Sequence, residues 1–232
     1  MQFFPFLAAL FLATTAYAQD AELARAYAAN DAAAFERVIQ KLSAETTADA
    51  PFQTAKAEYA AYAAYQFAHG EKAVKTLMDG AQKRLETYLK AQPDHAEAHA
   101  LLASIYGIQI GMSPMKGMTL GSKSSRHLER ALELAPDNAF VNYLKGSNLY
   151  YTPSTWGGDV AESVVRLELA KSNYESCDPN HSWEYLATLA LLGQAYHHQE
   201  QTDRAAATYR LALQTEPNFG WVKYELLPKV QR

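Results

Sequence analysis

A spaced set of small, aliphatic and aromatic residues near the C-terminus constrains the fold of this chain more than any other feature. In order, the set is Leu189, Leu192, Gly193, Tyr196, Ala205, Tyr209, Ala212 and Pro217. The first four and the next three recur three or four residues apart, which is the spacing of one face of a helix. Gly193 and the alanines would let two such helices approach closely, and Pro217 cannot continue the second one. The set therefore predicts a helical hairpin.

Three weaker copies of this pattern come earlier, and each ends at a proline: Pro93, Pro136 and Pro179. The pattern resembles the tetratricopeptide repeat (TPR), although the prolines lie further apart than its roughly 34-residue period. Alanine, leucine, glutamate and lysine dominate throughout, and alternating runs of Val, Ile and Thr are absent, which favours helices. We therefore expect an all-α fold, a TPR-like helical-hairpin solenoid that presents a groove.

The spacing divides the chain into four parts. Residues 1–18 are expected to be a signal peptide, 19–51 a helix pair without a signature, 52–217 the TPR-like repeats, and 218–232 a C-terminal capping helix. Two hairpins contain extra residues between their helices, which predicts enlarged turns at 107–121 and 150–159. Both turns would lie at the same edge of the stack, where insertions tend to carry function.

The N-terminus predicts export. Residues 3–13 are almost wholly apolar, and Ala16-Tyr17-Ala18 follows as a small-x-small cleavage site before polar Gln19. The run is shorter than the roughly 20 residues that span a bilayer. The alternative is a buried N-terminal helix. Cys177 is the only cysteine, so an exported form has no internal disulfide and must be stabilised by its core.

Composition excludes one class of partner. The formal net charge is −4, and no lysine or arginine cluster is long enough to follow a phosphate backbone. Nucleic-acid binding is therefore disfavoured. No other stretch is apolar enough to span a membrane.

One stretch suggests a narrower resemblance. Residues 142–158, NYLKGSNLYYTPSTWGG, lie between two repeat helices of a chain that is expected to be exported. A YYTP…GG loop in this position resembles the bacterial periplasmic TPR proteins that include the TRAP-transporter-associated T component. This resemblance implies a helical scaffold outside the cytoplasm that cooperates with a solute-handling system and can be oligomeric.

The candidate binding residues follow from the groove. First helices of TPR hairpins line the concave face, and helical spacing places eight polar or aromatic side chains along or beside it. They are Tyr143, Ser147, Tyr150, Tyr151, Trp156, Gln194, His197 and His198. Rings with polar tips suit a peptide or an amphipathic small molecule. The alternative is that the tyrosines pack between repeats.

Other features are less specific. Tyr59, Tyr62 and Tyr65 recur as a helical packing stripe, while three methionines around Met115 form a soft apolar surface. His95 and His99 have helical ligand spacing but lack a third ligand, so no metal site and no cofactor is expected.

No catalytic motif is present in the sequence. We expect a non-catalytic periplasmic scaffold that binds another envelope protein or a peptide segment of one. The alternative is a small-molecule-binding accessory of a TRAP-type transport system, which would hold a small apolar ligand in an enclosed cavity.

Overall fold

Helices make up nearly all of the part of the chain that the computed structural model describes, which is residues 19–176 and 182–231. Within those residues there is no β-strand, so the predicted all-α class is confirmed. The expected signal peptide at 1–18, Cys177 and Pro179 lie outside the described residues.

Eleven α-helices occur in the described residues. They are α1 (residues 19–29), α2 (Ala32–Ala44), α3 (Ala50–Ala60), α4 (Tyr62–His69), α5 (Glu71–Ala91), α6 (Ala96–Met112), α7 (Gly117–Leu134), α8 (Ala139–Tyr151), α9 (Val160–Glu175), α10 (Trp183–His198) and α11 (Thr202–Thr215). A C-terminal segment follows, with a π-helical turn at Val222–Leu226 and a 3-10 turn at Leu227–Val230. Pro228 lies inside that 3-10 turn.

Side chains fix where several helices begin. Asp31, Asn138, Asp159 and Ser182 each accept a hydrogen bond from a backbone N–H in the first turn of the helix that follows. Such caps satisfy donors that the helix itself leaves free. The starts of α2, α8, α9 and α10 are therefore specified locally by the sequence.

Consecutive helices pair as hairpins, and α6 with α7, α8 with α9 and α10 with α11 pack most extensively. Small residues allow the close approach: a Cβ atom on Gly193 would lie 2.2 Å from Cε1 of Tyr209. Two neighbouring hairpins also contain an equivalent hydrogen bond between their own two helices. Ser124 donates to the carbonyl of Ala103 at 2.9 Å, and Ser163 donates to the carbonyl of Gly146 at 2.8 Å.

The predicted enlarged turn at 107–121 is wrong, because most of these residues are helical. α6 continues to Met112, a 3-10 turn covers Pro114–Lys116, and α7 begins at Gly117. α6 tolerates its two glycines, each at a cost of about 1 kcal/mol, because the residues beside them pack against other helices. Gln109 is buried and donates to Asp79 of α5 at 2.8 Å.

The connection between α8 and α9 covers residues 152–159. Gly157 has φ 93°, a left-handed conformation that favours glycine. A Cβ atom on Gly158 would lie 1.7 Å from the carbonyl oxygen of Thr152, so no other residue fits there without a shift of the backbone. The two glycines therefore shape this loop.

The first and last hairpins of the chain touch each other. The ring of Tyr27 in α1 lies 5.6 Å from the ring of Trp183 in α10 and 5.7 Å from that of Phe219. Lys56 of α3 forms an ion pair with Glu184 of α10. Repeats of a simple solenoid contact only their neighbours. This chain instead closes on itself, and we call the surface that α1, α3, α6, α8 and α10 present to one another the inner face.

Candidate functional site

One end of the inner face is closed by a cluster of aromatic rings around Trp183, which is 1% exposed. Ring centroids of Tyr27, Tyr59, Phe140 and Tyr143 lie 5.6 to 6.5 Å from that of Trp183. Such tilted and edge-on ring pairs stabilise beyond the area that they bury. We call this the Trp183 cluster, and it joins four helices that are far apart in sequence.

Charged groups lie beside the Trp183 cluster. The Lys56 ammonium pairs with Glu184 and lies 4.8 Å from the ring centroid of Phe140. Burial alone would lower the pKa of Lys56, but the negative charges of Glu184, Glu97 and Asp20 raise it above its ordinary value. Burial, and then Glu184, raise the pKa of the Asp20 carboxyl. Lys56 therefore stays charged, while Asp20 occupies an unfavourable place for a carboxylate.

Hydroxyl groups form the floor of the inner face beyond the Trp183 cluster. The side chains of Tyr143, Ser147 and Ser104 lie within hydrogen-bonding reach of the Tyr59 phenol. Burial raises the pKa of Tyr59, and it raises the pKa of Tyr143 well above the ordinary value. Both phenols are therefore protonated at neutral pH. They can donate and accept hydrogen bonds but cannot act as bases.

The other end of the inner face is open, and we call it the mouth. The Tyr151 ring there is 64% exposed. Burial, and then Tyr150 and Tyr59, raise the pKa of the Tyr151 phenol to about 12, and the Gln194 side chain offsets part of that rise by hydrogen bonding. The Tyr150 ring lies 4.9 Å from that of Tyr151 and 6.3 Å from that of His198. The mouth thus presents rings, phenols and an amide to solvent.

The structure brings six of the eight predicted binding residues to the inner face. Ser147 lies at its floor, and Tyr150, Tyr151, Gln194 and His198 lie at its mouth. Tyr143 is buried, only 7% exposed, and its ring packs in the Trp183 cluster, so a partner cannot reach it.

The other two predicted residues lie outside this group. Trp156 is 81% exposed in the 3-10 turn Ser154–Trp156 of the α8–α9 connection. His197 is exposed at the end of α10. Met115 and Met118, beside the neighbouring α6–α7 turn, are 84% and 92% exposed. This edge of the molecule is therefore apolar in several places without forming one continuous site.

Sequence reasoning missed the residues that come from distant parts of the chain. Tyr27 lies in the N-terminal helix pair, for which no repeat signature gives a register. Ser104 and Trp183 lie on α6 and α10, but neither belongs to the spaced repeat pattern. Tyr59 was interpreted only as part of a packing stripe. Helical spacing could have placed Tyr59 on an inward face, as it does Tyr143, but no local signal shows that the chain closes.

His95 and His99, which have the spacing of metal ligands, make different structural contacts. His95 Nδ1 accepts the N–H of Ala98 and caps α6. His99 Nδ1 lies 2.7 Å from Nδ1 of His127, and burial together with His99 lowers the pKa of His127 to about 4. Among the described residues, no group of three or more His, Cys, Asp or Glu is placed to hold a metal ion.

Two surface depressions bear on the kind of ligand. One of about 610 Å³ lies between α4 and α5 and is lined by Tyr65, His69 and Lys72, and one of about 410 Å³ lies beside Asp49 and His95. Both are open to solvent, and neither includes the mouth. They do not have the enclosed, mostly apolar form that small-molecule sites usually take.

Comparison with known proteins finds no family model that matches the chain and no curated protein that matches its sequence. In the part of the chain that the structure describes, no helix is long and apolar enough to cross a membrane.

Proposed function

We propose that this protein is a non-catalytic, TPR-like helical scaffold of the bacterial periplasm. It binds an extended segment of another envelope protein at the mouth of its inner face. The solenoid interpretation is supported by the consecutive hairpins and by the matching hydrogen bonds of Ser124 and Ser163. The apolar N-terminal run supports export, as does the resemblance of the loop over residues 142–158.

One observation carries the binding proposal, namely that the Tyr151 ring is exposed beside the Tyr150 ring and has the Gln194 amide near its phenol. A protonated phenol and an amide can each donate to and accept from a peptide backbone. Tyrosine rings also provide contact area at a low entropic cost, because they have few rotatable bonds. The mouth therefore suits a peptide segment that passes over it.

A transporter accessory that holds a small apolar ligand is the second candidate. It is favoured by the tyrosines and the YYTP…GG loop, and it would need a cavity that encloses its ligand. The mouth is open, and its phenols and amide are polar. A peptide segment therefore fits the geometry better.

Site-specific photo-cross-linking in intact cells tests the proposal. A photoreactive amino acid at Tyr151 should give adducts with one defined polypeptide, identified by mass spectrometry. The Gln194→Ala substitution in the same chain should reduce their yield severalfold. A photoreactive residue at Tyr224, which is 69% exposed in the C-terminal segment, is the matched control.

Two results would contradict the proposal. Equal adduct patterns from positions 151 and 224 would show that the mouth has no preferred partner. Native mass spectrometry of the gently purified protein provides the other test. A retained small-molecule mass that the Tyr151→Ala variant loses would favour the transporter accessory.

A further inference from the structure

We propose that α1 exchanges between copies of this chain. The protein would then convert between a closed monomer and a dimer in which each copy receives α1 of the other on its inner face. This inference concerns the N-terminal helix pair and the Trp183 cluster, and it does not depend on what binds at the mouth.

The hinge between α1 and α2 consists of two residues. Asn30 has φ 53°, and its N–H donates to the carbonyl of Tyr27 at 3.2 Å. The Asp31 carboxylate accepts the N–H of Ala34 at 3.0 Å and so caps α2. The left-handed region is one that asparagine tolerates better than most residues. The reversal of the chain therefore depends on these two side chains.

The sequence around the hinge strongly favours helix. Alanine occupies positions 28 and 29 before the hinge and 32 to 34 after it, and alanine has the highest helix propensity. If Asn30 and Asp31 adopt helical torsion angles, residues 19–44 become one continuous helix of about 39 Å. Its α1 half would then project away from its own inner face.

A second copy can replace the side-chain contacts that attach α1 to its own chain. On its own chain, α1 places Tyr27 against Trp183 and Phe219, and Glu22 pairs with Lys41 of α2 at 2.8 Å. In a swapped dimer the same contacts form between copies. An inner face without α1 would expose the rings of the Trp183 cluster, and α1 of another copy has the matching shape. Exchange of an identical element is a low-cost route to a dimer.

Removal of α1 from the inner face would expose little large apolar surface on α1 itself. Leu23 is its only large aliphatic residue in the core, and Tyr27 is its only aromatic one, while its other buried residues are alanines. By contrast, α10 buries thirteen of its residues.

The hinge provides a matched pair of variants. The protein is produced from the full-length sequence, and its mass is measured by light scattering during size-exclusion chromatography, at concentrations from about 1 µM upward. Asn30→Ala strains the left-handed hinge and favours the continuous helix. It should raise the dimer-to-monomer ratio by about tenfold. Asn30→Gly keeps the left-handed conformation accessible, so it should leave the protein largely monomeric.

Cross-linking distinguishes exchange from ordinary association. Chains labelled with ¹⁴N and with ¹⁵N are unfolded together, refolded and treated with a carbodiimide, which joins Glu22 to Lys41 through the existing ion pair. In a swapped dimer, about half of these linked peptide pairs should carry one label of each kind. The Asn30→Ala dimer should show the mixed pairs most strongly.

Two outcomes would overturn the proposal. An Asn30→Ala protein that stays monomeric at the highest concentration, with a lowered melting temperature, would show that the hinge is only strained. A dimer whose Glu22–Lys41 pairs all carry a single label would show that the copies associate without exchanging α1. Neither outcome affects the photo-cross-linking test at Tyr151.

Discussion

The two ends of the inner face use the same residue types for opposite purposes. Tyr143 and Tyr151 both lie on α8, about 12 Å apart along the helix axis. Tyr143 is 7% exposed and packs against Trp183, whereas Tyr151 is 64% exposed beside Gln194. A tyrosine on an inward helix face is therefore not a sign of a binding site by itself. Whether such a tyrosine is buried or accessible depends on whether a distant part of the chain covers it.

The covering comes from the two termini of the described chain. α1 brings Tyr27 to the Trp183 cluster, and the C-terminal segment brings Phe219, while Lys56 and Glu184 join α3 to α10. No such element reaches Tyr151 among the described residues, so the mouth stays open. The closed end joins helices that are distant in sequence, and under the proposed function the mouth is where a partner would bind.

The largest expected difference in stability is between alanine substitutions at two tryptophans, Trp183 and Trp156. Trp183→Ala removes the ring that four helices share, so we expect it to lower the free energy of unfolding by about 3–5 kcal/mol. Trp156→Ala removes an exposed ring and should change stability by less than about 0.5 kcal/mol. Urea unfolding followed by circular dichroism measures both. Similar losses in the two variants would mean that the α8–α9 loop is as structural as the closed end.

A smaller difference in stability is expected between alanine substitutions at two glycines, Gly193 and Gly80. Gly193 lies on α10, which carries both Trp183 and Gln194, and a Cβ atom there would meet the Tyr209 ring at 2.2 Å. We expect Gly193→Ala to destabilise the protein by about 1–3 kcal/mol through overpacking, and to weaken binding at the mouth. At Gly80, inside α5, a Cβ atom would meet nothing within 4 Å.

The same substitution at Gly80 is the control, and it should stabilise the protein by about 0.5–1 kcal/mol. Thermal unfolding in both variants gives the comparison. If Gly193→Ala were neutral, the α10–α11 pair would have room to separate, and the mouth would not depend on its close packing.

Sequence patterns predict this fold well wherever the information is local. The cap at Asp159, the breaker Pro217 and the small residue Gly193 each act within a few positions of the helix that they shape. The prediction of an enlarged turn at 107–121 fails because the extra residues between the repeat positions lengthen α6 and α7 instead of forming a loop. The partners of Gln109 on α5, about 30 residues away, help to hold the end of α6 in place.

The site could be predicted only in part, for a similar reason. Helical spacing places Tyr151 and Gln194 on inward faces, and the structure brings them together. The burial of Tyr143 depends on Tyr27 and Trp183, which are separated from it by more than a hundred and by about forty residues. No short pattern carries a contact of that range, so the closed end became visible only in three dimensions.

The smallest effect concerns the charge that attaches α1 to the closed end. Burial and Glu184 raise the pKa of Asp20, and Lys56 offsets only part of that rise. A carboxyl whose pKa is higher in the folded chain than its ordinary 3.8 stabilises the fold most when protonated. That contribution is fully present below about pH 3.8 and is lost as the pH rises through the raised pKa.

The Asp20→Asn variant should therefore be more stable than the original chain at pH 7, by less than about 1 kcal/mol because Asp20 is partly solvated. The difference should vanish only well below pH 3.8, where the original carboxyl is protonated in both the folded and the unfolded state. Chemical unfolding of both chains at several pH values measures it. A variant that is less stable at pH 7 would show that attraction to Lys56 exceeds the cost of burying Asp20 beside Glu184. The closed end would then be attached by charge as well as by rings, and exchange of α1 would be correspondingly harder.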